Sequence, residues 1–75
     1  MEQNEIVIRI KTFFLERGHD IEEHTDLFES GALDSMGVLE LVAFLEDQIG
    51  FDFDATQMVG SNFQSVNAIM KLIKS

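Results

Sequence analysis

The 75-residue sequence contains no cysteine, no proline and only five glycines. Without cysteine there is no disulfide framework, no thiolate metal cluster and no cysteine nucleophile. Because proline and glycine are the main helix breakers, their scarcity favours helices. No stretch approaches the roughly 18 uninterrupted apolar residues of a membrane span, and the N-terminus lacks an apolar signal-peptide core. We therefore expect a single helical domain over residues 1–75, in a cytoplasmic protein.

Basic residues are also scarce, and they are unevenly placed. Five Lys and Arg stand against 14 Asp and Glu, which gives a formal net charge of −9. No base lies between Gly18 and Met70, where most of the acids occur. Such a surface repels phosphate backbones, which argues against a nucleic acid partner, and it attracts proteins with basic surfaces. A solvated acidic surface that maintains solubility is the simpler alternative.

The spacing of apolar residues predicts an all-α fold, a small four-helix bundle of three main helices and one short helix. The first helix should run from about Gln3 to Arg17, with Gly18 as its stop. The second should begin after Asp34, whose carboxylate can accept a backbone N–H of the first turn, and should end at Gly50.

Similar signals predict the rest of the bundle. Asp54 is placed to cap a short third helix over residues 55–60, and Ser65 to cap the fourth. The first two helices are joined by a loop over residues 19–33, far longer than the usual ~4–6 residues, which indicates a packed or functional loop. Three of its residues should contact the core: Leu27, Phe28 and Leu33. Elsewhere the expected core includes Phe13, Phe44, Leu45, Ile49, Phe63 and Ile69.

The second helix has two different faces. The face that should be buried consists of Leu41, Val42, Leu45 and Ile49. The other face, here called the mixed stripe, combines apolar and acidic residues at helical spacing: Met36, Leu39, Glu40, Ala43 and Asp47. Exposed methionine and leucine rimmed by carboxylates are typical of a contact surface rather than of a core.

Several catalytic and metal-binding patterns can be excluded. The segment 52–54 begins like a calcium loop but lacks the glycine and the final glutamate that such a loop needs. His19 and His24 do not have the spacing of a zinc protease motif. Ser35 lacks the G-x-S-x-G pattern of a hydrolase elbow, and a loop rather than a strand precedes it.

Ser35 is nevertheless placed for chemistry carried out by another protein. It lies where the long loop meets an acidic helix, so its hydroxyl should be exposed to a visiting active site. The free N–H groups and positive dipole of a helix N-terminus favour a covalently attached phosphate. Asp34 could help to hold a metal ion that a modifying enzyme brings. These features predict a modification site beside a docking face, whereas a serine that only assists the helix cap is the alternative.

This region resembles a known family. The segment LFESGALDSM at 27–36, continuing into LELV at 39–42, is similar to the acyl carrier proteins and the related peptidyl or aminoacyl carrier domains. Their signature is Gly-x-x-Asp-Ser-Leu at the start of the second helix. The segment FQSV at 63–66, followed by Ile69, resembles the opening of their last helix. The resemblance spans essentially the whole chain.

The resemblance implies a function for Ser35. A phosphopantetheinyl transferase (a holo-carrier synthase) using coenzyme A and magnesium would attach 4′-phosphopantetheine to this serine, with Asp34 as the family's acid before it. The thiol of the arm would then hold acyl or aminoacyl groups as thioesters. Glu40, Glu46 and Asp47 fall where the family places acids that meet Arg and Lys on acyl or aminoacyl ligases, transferases and synthases. The protein would be a monomeric carrier and not an enzyme.

Two positions depart from the family pattern. Met36 replaces the usual leucine, and Gly37 is a poor helix former that costs up to ~1 kcal/mol relative to alanine. The pathway stays open, because carriers for fatty acids, polyketides, nonribosomal peptides and D-alanine share this scaffold, although the compact length favours a free-standing carrier. The alternative function is a small acidic helical adaptor that binds basic partners without a prosthetic group.

Overall fold

The computed structural model describes residues 2–74 and contains three α-helices. These are α1 (Gln3–Leu15), α2 (Ser35–Gln48) and α3 (Val66–Lys74). Two 3-10 helices, Ala55–Gln57 and Gly60–Phe63, lie between α2 and α3. No strand occurs within residues 2–74, so the predicted all-α fold is confirmed. None of the helices in this range has the length and hydropathy that crossing a membrane requires.

Helix α1 begins where the sequence predicts and ends slightly earlier. Its apolar stripe, Ile6, Ile10, Phe13 and Phe14, is buried. The helix ends at Leu15 rather than at Arg17, because residues 16–18 form a turn in which Gly18 adopts a positive φ of 86°. Such a left-handed conformation is readily available only to glycine, which explains why the helix stops there.

Helix α2 is bounded by the two residues that the sequence indicates. Asp34 is its N-cap, and Gly50 follows its C-cap with a φ of 80°. Leu41, Val42 and Leu45 are buried as expected, whereas Ile49, the C-cap residue that follows the helix, is only partly buried.

The predicted short helix over residues 55–60 is wrong in its form, since the first 3-10 helix covers only Ala55–Gln57 and the second begins at Gly60 and extends to Phe63. Asp54 does cap the first one, with its carboxylate 3.0 Å from the Thr56 nitrogen, while the Gln57 side chain bonds back to the Asp54 N–H at 2.8 Å. The Gln57 carbonyl accepts a hydrogen bond from the side-chain amide of Asn62 at 3.0 Å. A side chain thus takes the place that a backbone N–H would have in a continuing helix. Val59 is extended and separates the two turns.

The core forms one cluster that draws on every main element and on the long loop. Its fully buried members include Phe13, Phe14, Leu27, Leu41, Leu45, Phe63, Val66 and Ile69. Phe44 packs against it only partly buried, with its ring centroid 5.1 Å from that of Phe13. In α3 the Ser65 hydroxyl caps the helix as predicted, accepting the Ala68 N–H at 3.1 Å.

The long loop is packed, as expected, but Phe28 is not one of its anchors. Leu27 and Leu33 are buried, whereas Phe28 is 37% exposed, which corrects the prediction that it would contact the core. The reason is local, because the Asp26 carboxylate accepts the backbone N–H groups of Phe28 and Glu29 at 3.0 and 2.9 Å. This tight turn directs Leu27 inward and Phe28 outward.

The loop is also tied to the segment that precedes α3. The Leu27 N–H donates to the Gln64 carbonyl at 2.8 Å, and the Gln64 side-chain amide donates to the second oxygen of Asp26 at 3.0 Å. The Asn67 N–H donates to the Glu23 carbonyl at 3.0 Å. These bonds fix the path of the loop that leads to α2.

The bonds to Asp26 predict a pH-dependent contribution to stability. The Gln64 amide, followed by the Glu29 N–H, holds the pKa of the Asp26 carboxyl below its ordinary value, because both donors favour the ionised form. A lowered native pKa stabilises the fold above the unfolded-state pKa of about 3.9, and this stabilisation is lost as the pH falls through the native pKa. Asp26→Asn should therefore lower the urea midpoint at neutral pH, and its deficit should shrink below about pH 4.

Asp52→Asn is the matched control for this prediction. Asp52 is exposed, its replacement removes the same charge, and its side chain makes no hydrogen bond within residues 2–74. Its urea midpoint should follow that of the wild type at each pH. A deficit of Asp26→Asn that stays constant from neutral pH to about pH 3 would contradict the assigned role of the carboxylate.

Candidate functional site

Ser35 is positioned by the loop residues immediately before it. Leu33 is buried and its N–H donates to the Leu27 carbonyl at 2.8 Å, which fixes the end of the loop. Gly31 turns the chain just upstream with a φ of 81°, a value that a residue with a side chain rarely adopts. Ser35 follows as the first residue of α2 and is exposed.

Asp34 makes the cap of α2 without help from Ser35. Its Oδ1 accepts the Gly37 N–H at 2.7 Å, while the backbone of Asp34 is extended. The Ser35 hydroxyl has no hydrogen-bond partner among residues 2–74, so a role for this serine within the cap is not observed. The prediction that its hydroxyl is exposed is confirmed.

Gly37 leaves space that the cap uses. A Cβ at this position would lie 3.1 Å from Asp34 Oδ1 and 3.0 Å from Leu33 Cδ1, both closer than ordinary van der Waals contact. The Leu33 side chain is held in the core, which limits its freedom to move aside. Gly37 departs from the family pattern, but its lack of a side chain leaves room for the short hydrogen bond from its own N–H to Asp34.

An apolar groove of about 410 Å³ runs from Ser35 between α2 and the 3-10 segment. Its walls are formed by Phe28, Val38, Leu39, Met58, Val59 and Phe63. Phe63 is fully buried and forms the floor, whereas Leu39 and Val59 are about half exposed at the rim. The prediction of a helix over residues 55–60 gave no indication of this groove. The signal in the sequence that could have indicated an apolar surface here is the adjacent pair Met58 and Val59, which lies in an otherwise mostly polar segment.

The mixed stripe lies at the surface, as its composition predicts. Met36 is 66% exposed and Leu39 is 56% exposed. Glu40, Ala43 and Asp47 are exposed too. Leu39 belongs to both surfaces, since it lies on the stripe and lines the groove.

A protein-family model described as "Phosphopantetheine attachment site" matches residues 9–73 of the chain. The chain belongs to this family of phosphopantetheine-dependent carrier proteins. The match includes the end of the long loop, Ser35 and all of α2. The predicted family and cofactor, 4′-phosphopantetheine, are thereby confirmed.

Curated relatives carry two different names. The carrier is 33% identical to an acyl carrier protein of Saccharopolyspora erythraea, over 96% of this chain and 78% of the relative. It is 29% identical to a D-alanyl carrier protein of Streptococcus uberis, over 96% and 90% of the two chains, and 30% identical to one of Streptococcus sanguinis, over 89% and 84%. The protein is thus a carrier that other enzymes act on, and not itself an enzyme.

The acids predicted to meet partners are exposed but already have contacts within the carrier. Glu40 lies 3.6 Å from the guanidinium of Arg17, Glu46 accepts the Phe53 N–H at 3.3 Å, and Asp47 accepts the side-chain amide of Gln48 at 3.1 Å. No local spacing in the sequence indicates this ion pair, because Arg17 lies in the turn after α1 and Glu40 lies on α2.

The contacts of Arg9 and Arg17 with α2 together indicate how α1 and α2 are arranged. Arg9, in the middle of α1, donates to the Gln48 side chain at the end of α2 at 3.0 Å. Arg17 follows α1 and pairs with Glu40 in the first half of α2. The two helices are therefore antiparallel, and Arg9 and Arg17 border the acidic helix.

Proposed function

We propose that Ser35 is the residue to which 4′-phosphopantetheine is attached, and that the carrier presents acyl or aminoacyl groups on this arm to partner enzymes. The observation that carries the proposal is the exposed Ser35 hydroxyl, which has no hydrogen-bond partner within residues 2–74 and directly follows the Asp34 cap. A hydroxyl in this position is accessible to another enzyme without unfolding the carrier.

The other described serines are less suitable for attachment. The Ser30 hydroxyl donates to the Leu27 carbonyl and accepts the Ala32 N–H, so it is part of the loop. The Ser65 hydroxyl caps α3. Ser61 is exposed but lies within a 3-10 helix, and asparagine rather than an acid is its polar neighbour.

The surroundings of Ser35 suit the chemical parts of the group. The backbone N–H groups of Ser35 and Met36 have no acceptor among residues 2–74, and at a helix N-terminus they favour an anionic phosphodiester. The apolar groove begins at the same serine and offers walls against which the arm or its cargo can lie. When attached, the group supplies a terminal thiol that holds the cargo as a thioester.

The attachment reaction balances with coenzyme A as donor. The Ser35 oxygen forms a bond to the phosphorus that bears pantetheine, while the bond from that phosphorus to the leaving adenosine 3′,5′-bisphosphate breaks. The hydroxyl proton passes to a base of the transferase. Asp34 uses one carboxylate oxygen for the Gly37 N–H, which leaves the other free to face the transferase and its metal ion.

The cargo class and partners follow from the family and from the charge of the surface. We propose an acyl or aminoacyl cargo in fatty-acid, polyketide, nonribosomal-peptide or related biosynthesis, loaded by a ligase or transferase. The mixed stripe, with Glu46 beside it, is the proposed docking face for the basic surfaces of these enzymes. Electrostatic attraction of this kind speeds association and leaves the complexes weak enough to exchange.

Incubation with coenzyme A and a broad-specificity phosphopantetheinyl transferase tests the proposal. The intact mass should increase by one phosphopantetheinyl group, and tandem mass spectrometry of peptides should place the added group on Ser35. Omission of coenzyme A is the control for other mass changes. An unchanged mass, or a label located on Ser30 or Ser61, would refute the assignment.

A further inference from the structure

Arg17 is held beside the mixed stripe by three contacts. Its guanidinium carbon lies 3.6 Å from the centroid of the Phe13 ring, its Nη1 donates to the Phe13 carbonyl at 3.1 Å, and its Nη2 lies 3.6 Å from Glu40. Phe13 is buried, so the aromatic face under the guanidinium belongs to the rigid core. The cation is therefore fixed in place rather than carried on a free side chain.

These contacts distinguish the ion pair from a surface pair between two freely mobile side chains. An exposed pair by itself contributes little, because ordering two long side chains opposes the attraction. Here the ring and the carbonyl already orient the guanidinium. The carbonyl belongs to the last turn of α1, where a cation also interacts favourably with the helix dipole.

The consequence is that the mixed stripe is not uniformly negative. Glu40 has a cation of the same chain beside it, whereas Asp47 is bonded only by a neutral amide. A partner cation that approaches Glu40 must either displace Arg17 or share the carboxylate with it. In both cases the positive charge of Arg17 repels the partner cation. Like-charge juxtaposition is an established way of disfavouring unsuitable partners.

We infer that Arg17 is a specificity-determining residue for docking: it occupies Glu40 and weakens binding of basic partners that place a cation at that position. This inference rests on the proposed function, because the partner is an enzyme that acts on Ser35 or on its arm. Partners with their cations opposite the Asp47 end of the stripe are unaffected by Arg17. The carrier thereby distinguishes among enzymes that all bear basic surfaces.

Kinetics of the attachment reaction test this inference. With saturating coenzyme A and a broad-specificity transferase, Arg17→Gln should lower the KM for the carrier about threefold to tenfold and leave kcat unchanged, because Glu40 becomes available to the basic enzyme. The KM of Arg17→Gln should also rise more steeply with salt. Arg17→Lys, which retains the charge but loses the stacked guanidinium, should give a KM between those of the wild type and Arg17→Gln.

Two further variants separate this local effect from the change in net charge. Lys74→Gln also removes one positive charge, from an exposed position in the last turn of α3, and should leave the KM close to that of the wild type. Adding Glu40→Gln to Arg17→Gln should raise the KM back at least to the wild-type value. Far-UV circular dichroism checks that each variant is folded.

The inference is overturned if Arg17→Gln has the same KM as Lys74→Gln, or if the lowered KM persists when Glu40 is also replaced. Wild-type protein that takes up no phosphopantetheine would give a different result, namely no reaction at all. That outcome refutes the proposed function itself and, with it, the inference drawn from it.

Discussion

Ser35→Ala protein is expected to remain folded and to take up no phosphopantetheine under conditions that modify the wild type completely. The replacement removes the one oxygen that we propose as the nucleophile. Because this hydroxyl is exposed and bonds to nothing within residues 2–74, its removal should change the free energy of unfolding by no more than about 0.5 kcal/mol. Intact-mass measurement after incubation with coenzyme A and transferase provides the readout.

Ser61→Ala is the matched control, since Ser61 is also exposed and its hydroxyl also makes no described bond. This variant should be modified to the same extent as the wild type. Ser35→Ala protein that still gains the mass of the prosthetic group, with an unchanged urea midpoint, would show that another residue carries the arm.

The largest effect on stability is expected for Phe63→Ala. Phe63 is fully buried, belongs to the second 3-10 helix and packs against the tilted ring of Phe53 with a centroid distance of 5.8 Å. Its truncation leaves a cavity beneath the groove and should cost about 3–5 kcal/mol. A domain of this size has only about 3–5 kcal/mol of stability in its core, so the variant should be largely unfolded without denaturant.

Urea unfolding followed by far-UV circular dichroism measures this loss. Phe28→Ala is the control, because Phe28 lines the same groove but is substantially exposed. It should be much less destabilised than Phe63→Ala. Equal losses in the two variants would contradict the assignment of Phe63 as the buried floor of the groove and Phe28 as an exposed part of its wall.

The sequence predicted the parts of the fold that depend on local signals. Gly18 and Gly50 follow their helices with positive φ, and the carboxylate of Asp34 and the hydroxyl of Ser65 accept N–H groups in the first turns, as their residue types indicate. The exposure of Ser35 followed from its position directly after a cap. Each of these features is decided by residues within one or two helical turns.

The features that the sequence did not predict depend on contacts between distant segments. No periodicity places Arg17 opposite Glu40, because the pair requires the antiparallel packing of α1 on α2. The outward position of Phe28 depends on two backbone bonds to Asp26, which Gln64 holds from the other side. The groove was not predicted for the same reason, because its walls come from α2 and the 3-10 segment and depend on how these two segments pack.

The backbone hydrogen bonds from Leu27 to Gln64 and from Asn67 to Glu23 have a consequence for how the polypeptide folds during its translation. The loop that leads to Ser35 takes its partners from the last third of the polypeptide. During translation, the loop that leads to Ser35, the proposed attachment residue, can therefore form these bonds only after the segment around residues 64–67 has emerged from the ribosome. A nascent chain stalled before that point would present Ser35 to the transferase at the end of an unanchored loop.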